Sequence, residues 1–143
     1  MWYNKWIGRI LKSPMHRLVS RNMVLLSYSG LRSGKAYETP VNYVRRGNCL
    51  LVTSLRQRTW WRNFMDGGAP LRVWLEGKAI DAHASVVLDP ADVALNLRLY
   101  LAATPKLAKY YQIRLEPQGQ LNTSDIDNAA NNRLIVRIEL APV

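Results

Sequence analysis

The sequence predicts a mostly-β protein, a small β-barrel with peripheral helices. Three observations carry that expectation. Six segments run apolar or alternate at strand length, turn signals separate them, and the helical patterns lie at the periphery of the set. Closing such strands into a barrel removes exposed sheet edges. Patterning alone leaves an open α+β sandwich as the alternative. At 143 residues the chain suits one domain around one sizeable core.

Each element has its own warrant. Residues 2–12 place Trp2, Trp6 and Ile10, with Tyr3, Ile7 and Leu11 beside them, opposite Lys5, Arg9 and Lys12. That is an amphipathic basic helix, and residues 1–22 are set apart as a helical segment before a barrel domain over 23–143. Ser13 and Pro14 start a second short helix running to about Arg21. "MVLLSYS" is the first strand, "YETPVNYVRR" the second and "CLLVTSL" the third, with a tight turn at Gly47 and Asn48. These three read as a meander. "TWWRNFMDGG" is a short helix that Gly67 and Gly68 end. "LRVWLEG" and "KAIDAHASVVL" alternate as strands four and five around a turn near Glu76–Lys78. "DPADVALNLRLYLAA" opens on an Asp-Pro cap and runs helical, and "TPKLAKYYQ" restarts a helix. "EPQGQLNTSDIDNAANN" reads as a surface loop. "RLIVRIEL" closes the barrel, with Leu134, Val136, Ile138 and Leu140 inward.

Charge narrows the function. The net charge is +10, and residues 1–65 hold 12 of the 20 Lys and Arg but one acid, Glu38. An anionic partner beside the N-terminal half follows: nucleic acid, anionic lipid or a phosphorylated small molecule. No apolar run is long enough to cross a bilayer, and the start lacks a signal-peptide cleavage site, so a cytoplasmic location is expected. Trp2, Trp6 and the basic face beside them suit peripheral docking on an anionic inner membrane face, or packing across the barrel or a second copy. Cys49 is the only cysteine, and with two histidines, His16 and His83, no metal site is expected.

Between the first two strands stands "SGLRSGKAYETP". Gly30 and Gly34 let a backbone approach a ligand, and consecutive amides there can form an anion nest. Ser29 and Ser33 add hydroxyls, Arg32 offers a bidentate fork and Lys35 a point charge. A glycine-rich hairpin with surface cations is the competing reading. The spacing is not that of a nucleotide P-loop.

The order of the parts adds to this. "SGLRSGKAYETPVNYV", a strand ending "VTS", "TWWRNF" and "GAPLRVWLEGK" together resemble the deazaflavin-dependent nitroreductase and quinone reductase family, over about residues 23–87. The resemblance implies a split β-barrel like that of FMN-binding and pyridoxamine-phosphate-oxidase-like proteins. It implies a turn at Gly30, Arg32, Ser33, Gly34 and Pro40 that holds the phosphate-bearing side chain of a cofactor. Ser54, Trp60, Trp61, Asn63 and Phe64 match the strand end and aromatic helix beside that cofactor, and Pro70 the turn proline. Leu31 and Tyr37 stand where the family carries arginines, and Arg56 and Arg58 are the candidate replacements. The implied cofactor is the deazaflavin coenzyme F-420, with FMN the competitor because it has one phosphate and no acidic tail.

The implied activity is hydride transfer from reduced cofactor to a hydrophobic acceptor, a quinone or nitroaromatic. Tyr100, Tyr110 and Tyr111 are the substrate-side candidates, each offering a flat face and a hydroxyl proton; packing of the helix onto the barrel is the plainer reading of all three. Other classes stay open: a non-catalytic flavin or tetrapyrrole carrier on the same barrel, and a single-stranded nucleic-acid binder. The nucleic-acid reading ranks last, because no RNA-binding motif is present. Monomer and homodimer are both expected states.

Overall fold

The computed structural model describes residues 23–142. The helices expected over 2–12 and up to about Arg21, together with His16 and the 1–22 boundary, lie outside the described residues.

Seven strands form one antiparallel sheet. They are β1 (Met23–Ser29), β2 (Ala36–Asn42), β3 (Val44–Arg46), β4 (Cys49–Leu55), β5 (Ala69–Leu75), β6 (Lys78–Val87) and β7 (Arg133–Leu140). Their order across the sheet is β2-β1-β5-β6-β7-β4-β3. β2 and β3 are thus opposite edges, yet only Tyr43 separates them in the chain. Flat, a seven-strand sheet would hold its edges about 29 Å apart. Two residues of chain reach about 7 Å. The sheet therefore curls into a split barrel, and the expected fold class is observed.

The expected meander of the first three strands is not. What reads as one second strand breaks at Tyr43 into β2 and β3, and the two go to opposite edges. β1 takes β5 as its second neighbour and β4 takes β7. Local alternation identifies a strand, but its ladder partner is decided by distant residues. The tight turns stand as expected: Arg46 pairs with Cys49 around Gly47 and Asn48, and Leu75 with Lys78 around Glu76 and Gly77.

Alternation along the strands builds two cores. Val24, Leu26, Leu50, Val52, Val73 and the inward row of β7 fill the barrel interior. Leu51 and Ile135 point the other way, into a second cluster under the helices. β4 is buried on both faces, which is why it reads as a nearly unbroken apolar run. Each fully buried Leu or Ile contributes ~1.5–3 kcal/mol.

Helix α1 (Pro90–Ala103) starts as the Asp-Pro pair predicts, with the Asp89 carboxylate accepting from the Asp92 amide at 3.3 Å. It sends Val93, Leu97, Tyr100 and Leu101 into the second core. The helix expected from Thr104 is instead two single 3-10 turns, Pro105–Leu107 and Lys109–Tyr111. Gln112 ends them in the left-handed region at φ 61°.

The expected surface loop contains a helix, α2 (Thr123–Asn132). Asn122 caps it, accepting from the Asp125 amide at 3.0 Å, and Ile126, Ala129 and Ala130 are buried. Its Asn, Asp, Ser and Thr content hides it, since these residues favour caps and turns over helix interiors. Asp125 also accepts from the backbone N–H, Nε and Nη2 of Arg114, at 2.9, 2.8 and 3.2 Å. Those bonds hold the Asp125 carboxyl below the usual carboxylate range. A depressed folded pKa stabilises above the unfolded value, and that stability fades as pH falls through the folded value. Asp125→Asn should therefore lower the melting temperature at neutral pH, and the gap to wild type should close below about pH 4. Thermal melts from pH 2 to 7 check this; a gap independent of pH refutes the linkage.

Candidate functional site

The turn from Gly30 to Lys35 is closed by its own backbone. The Gly30 amide donates to Lys35 O and the Gly34 amide to Gly30 O, both at 2.9 Å. Gly34 sits at φ +67°, where a side chain would strain the turn. Gly30 is needed for a different reason. A Cβ there would lie 2.8 Å from Tyr37 Cε2 and 3.0 Å from Ser33 Oγ, so its absence seats the Tyr37 ring against the turn. Ser33 Oγ lies 3.4 Å from Tyr37 Oη and accepts from the Lys35 amide at 3.2 Å. Gly30→Ala should push Tyr37 outward and weaken ligand binding several-fold while costing only about 1 kcal/mol, because the displaced ring is half-exposed. Nuclear magnetic resonance of the Tyr37 ring, with a parallel ligand titration, reads both effects; unchanged ring shifts would refute the contact.

Asn63 joins this turn to the 3-10 helix Trp60–Phe64. Its Oδ1 accepts from the Leu31 amide at 3.0 Å, and its Nδ2 donates to Trp60 O at 2.8 Å. The amides of Arg32 and Ser33, by contrast, meet no acceptor among the described residues. Two consecutive unpartnered N–H groups beside a guanidinium and a hydroxyl have the makings of an anion nest.

Between turn and helix lies a basin of about 720 Å³, lined among others by Gly30, Arg32, Ser33, Tyr37, Trp60 and Arg62. Tyr28 forms part of its wall, its hydroxyl 2.8 Å from Thr39 Oγ1. Burial pushes the Tyr28 phenol up, against the opposing effect of that hydrogen bond. Phe64 packs edge-on beneath Tyr28 and Trp60, at 5.2 and 6.3 Å between centroids.

A second cavity, of about 230 Å³, opens where the barrel is split. β3 pairs only with Cys49–Leu51, so Thr53–Leu55 of β4 face Thr39–Asn42 of β2 across an unladdered seam. Trp60 and Thr39 line both cavities, making one trough. Ser54 fixes the Trp60 indole, accepting from its Nε1 at 3.1 Å and donating to Leu55 O at 3.2 Å. Arg58, Tyr110, Tyr111 and Arg133 complete the seam wall. Four arginines line the trough, and among the described lining residues there is no Asp or Glu. Glu38 lies on the other face of β2, where it accepts from Ser27.

The sequence-derived candidates divide accordingly. Gly30, Arg32, Ser33, Trp60 and Asn63 meet at the basin, and Pro40, Ser54, Tyr110 and Tyr111 at the seam. Gly34 and Lys35 shape the turn without lining the basin. Trp61 faces the barrel core, its Nε1 buried and without a partner among the described residues. Tyr100 is 1% exposed and lies edge-on to Tyr111 in the second core, where burial foremost pushes its phenol far up. Arg56 donates to Arg133 O, Leu88 O and Ala130 O, at 2.9, 2.5 and 3.2 Å, tying β4 to β7 and α2. Tyr28, Thr39, Thr53, Arg62 and Arg133 escape a sequence reading. Thr39 and Tyr28 are signalled only by register, and Arg133 comes from the far end of the chain. Among the described residues, no cluster of His, Cys, Asp or Glu is placed to hold a metal, and no helix is long and apolar enough to cross a membrane.

No protein-family model and no curated protein matches the chain. Solved structures do. A structure described as a domain-swapped dimer is similar at 18% identity and TM-score 0.56, covering 96% of this chain and 97% of that one. The general stress FMN/FAD-binding protein of Xanthomonas citri is similar at 18% identity and TM-score 0.54, covering 94% and 82%. HutZ, a heme storage protein of Vibrio cholerae, is similar at 11% identity and TM-score 0.51, covering 92% of each chain. What these similarities establish is the fold.

Proposed function

We propose that the trough seats a flavin-type cofactor, with its phosphate at the Gly30–Lys35 turn, and that the protein is a reductase of quinones, nitroaromatics or similar acceptors. The observation that carries this reading is the basin itself. It pairs two amides that meet no acceptor among the described residues, Arg32 and Ser33 Oγ with a flat aromatic wall, and its volume lies in the range of small-molecule cofactor sites. The similarity to an FMN/FAD-binding protein supports it. When bound, such a cofactor supplies the hydride. Arg32 would hold the phosphate through its guanidinium fork, and the amides of Arg32 and Ser33 would complete its seat. Trp60, oriented by Ser54, and Tyr37 would line the space for the cofactor ring. Tyr110 and Tyr111 stand at the seam end, where an acceptor would take its proton. Coenzyme F-420 is the first candidate, because Arg62 and Lys35 beside the phosphate seat suit an acidic tail; FMN is the alternative.

Titration of the purified protein with F-420 and with FMN, followed by fluorescence, tests the reading. Micromolar binding of either supports it, and binding of neither removes it. Turnover of a quinone or nitroaromatic by the reduced complex then separates enzyme from carrier. A tetrapyrrole carrier is the second reading, supported by the likeness to a heme storage protein; heme titration alongside decides between them. The domain-swapped neighbour supports a homodimer, which light scattering checks.

A further inference from the structure

The seam cavity carries a chemistry that the cofactor's phosphate seat leaves unused. One wall is Pro40 and Val41 of β2, apolar and rigid; Thr53 of β4 faces them. A void of about 150 Å³ admits benzene, so the 230 Å³ here has room for one substituted ring. Two guanidinium groups border it. Arg58 is exposed, and its side chain meets no acceptor among the described residues. Arg133 lies 4.4 Å over the Tyr111 ring, and Tyr111 Oη is 3.0 Å from Thr53 Oγ1. That stack sets one face of the planar Arg133 guanidinium against the ring. No carboxylate among the described residues neutralises either charge.

A slot with an apolar wall, an aromatic end and two unneutralised guanidinium groups at its border selects a flat anion. We propose that the seam is a binding site for an aromatic carboxylate, separate from the phosphate seat at Arg32. It deepens the reductase reading, on which it rests, by naming the acceptor class. There, a quinone carboxylate takes a hydride from the reduced cofactor and one proton from the Tyr110 or Tyr111 hydroxyl, which water then reprotonates, and leaves as the hydroquinone. The carboxylate anchors on Arg58 and Arg133 while the ring lies beside Trp60.

The test uses the purified full chain without cofactor and two probes, 4-nitrobenzoate and 4-nitrobenzamide, which share a ring and differ in charge. Calorimetric titration should find the acid bound at least about tenfold tighter than the amide, the scale of one charge-assisted hydrogen bond. Arg58→Gln, at an exposed position, should erase that preference with an unchanged melting temperature. Arg32→Gln should leave it intact. Neither inorganic phosphate nor F-420 should displace the acid. Equal affinities, no binding, or a preference lost in Arg32→Gln but kept in Arg58→Gln overturn the site. Displacement by phosphate or F-420 also overturns it, since both arginines would then belong to the cofactor. Failure of the two readings is distinguishable: acid bound without any cofactor binding removes the reductase and leaves the carboxylate site, and cofactor bound without the acid removes only the latter.

Discussion

Phe64→Ala is expected to destabilise the protein by about 3–5 kcal/mol and to abolish tight ligand binding in the basin. Phe64 is 1% exposed. It belongs to the barrel interior, and it carries Tyr28 and Trp60 edge-on above it. Alanine removes the ring's transfer energy and leaves a void, because β-barrel strands held by ladders on both sides cannot collapse into it. The aromatic edge contacts add ~0.5–1.5 kcal/mol each when lost. The Trp60 indole then keeps its bond to Ser54 but loses the ring beneath it, and the basin loses its floor. Urea unfolding measures the first effect, and titration with F-420 or FMN at a temperature where the variant stays folded measures the second. Phe64→Leu, which keeps most of the volume, should cost under about 1.5 kcal/mol. A loss below about 1 kcal/mol in Phe64→Ala would mean the ring does not support the basin.

Arg32→Gln should act in the opposite manner, costing affinity and not stability. Its guanidinium is exposed and meets no partner among the described residues, so its removal leaves nothing buried unsatisfied. Such surface changes fall within about 0.5 kcal/mol. Against a phosphate, however, two charge-assisted bonds are lost, and binding should weaken roughly 10- to 100-fold. Arg32→Lys should fall between, since the charge stays and the fork goes. Raising salt should weaken wild-type binding more than that of Arg32→Gln. The same affinity in wild type and Arg32→Gln would place the phosphate elsewhere and remove the turn from the site.

Much of this was legible because the signals are local. Alternation in β5, β6 and β7 assigns inward rows correctly, and the Asp-Pro cap and the two tight turns fall where steric preference puts them. The turn at Gly30–Lys35 could be singled out because two glycines and two cations are an unusual load for a hairpin. α2 was not legible, since only Ile126, Ala129 and Ala130 mark its buried face and its other residues oppose a helix. Arg56 shows the limit for charges. Its composition says cation, and only the fold reveals that its donors are committed to three carbonyls.

The sequence by itself determined where the strands run (the break at Tyr43 apart), the faces they bury, the excess of positive charge and the position of one glycine-bracketed turn. These depend on neighbours two to four residues away, through backbone sterics and the period of apolar side chains. Tertiary structure alone decided that β2 and β3 part at Tyr43 to opposite edges, and that the resulting seam brings Arg58, Tyr111 and Arg133 to one cavity. Which strands share a ladder depends on closing a core across the whole chain, and the trough exists only because that closure stops short between β2 and β4.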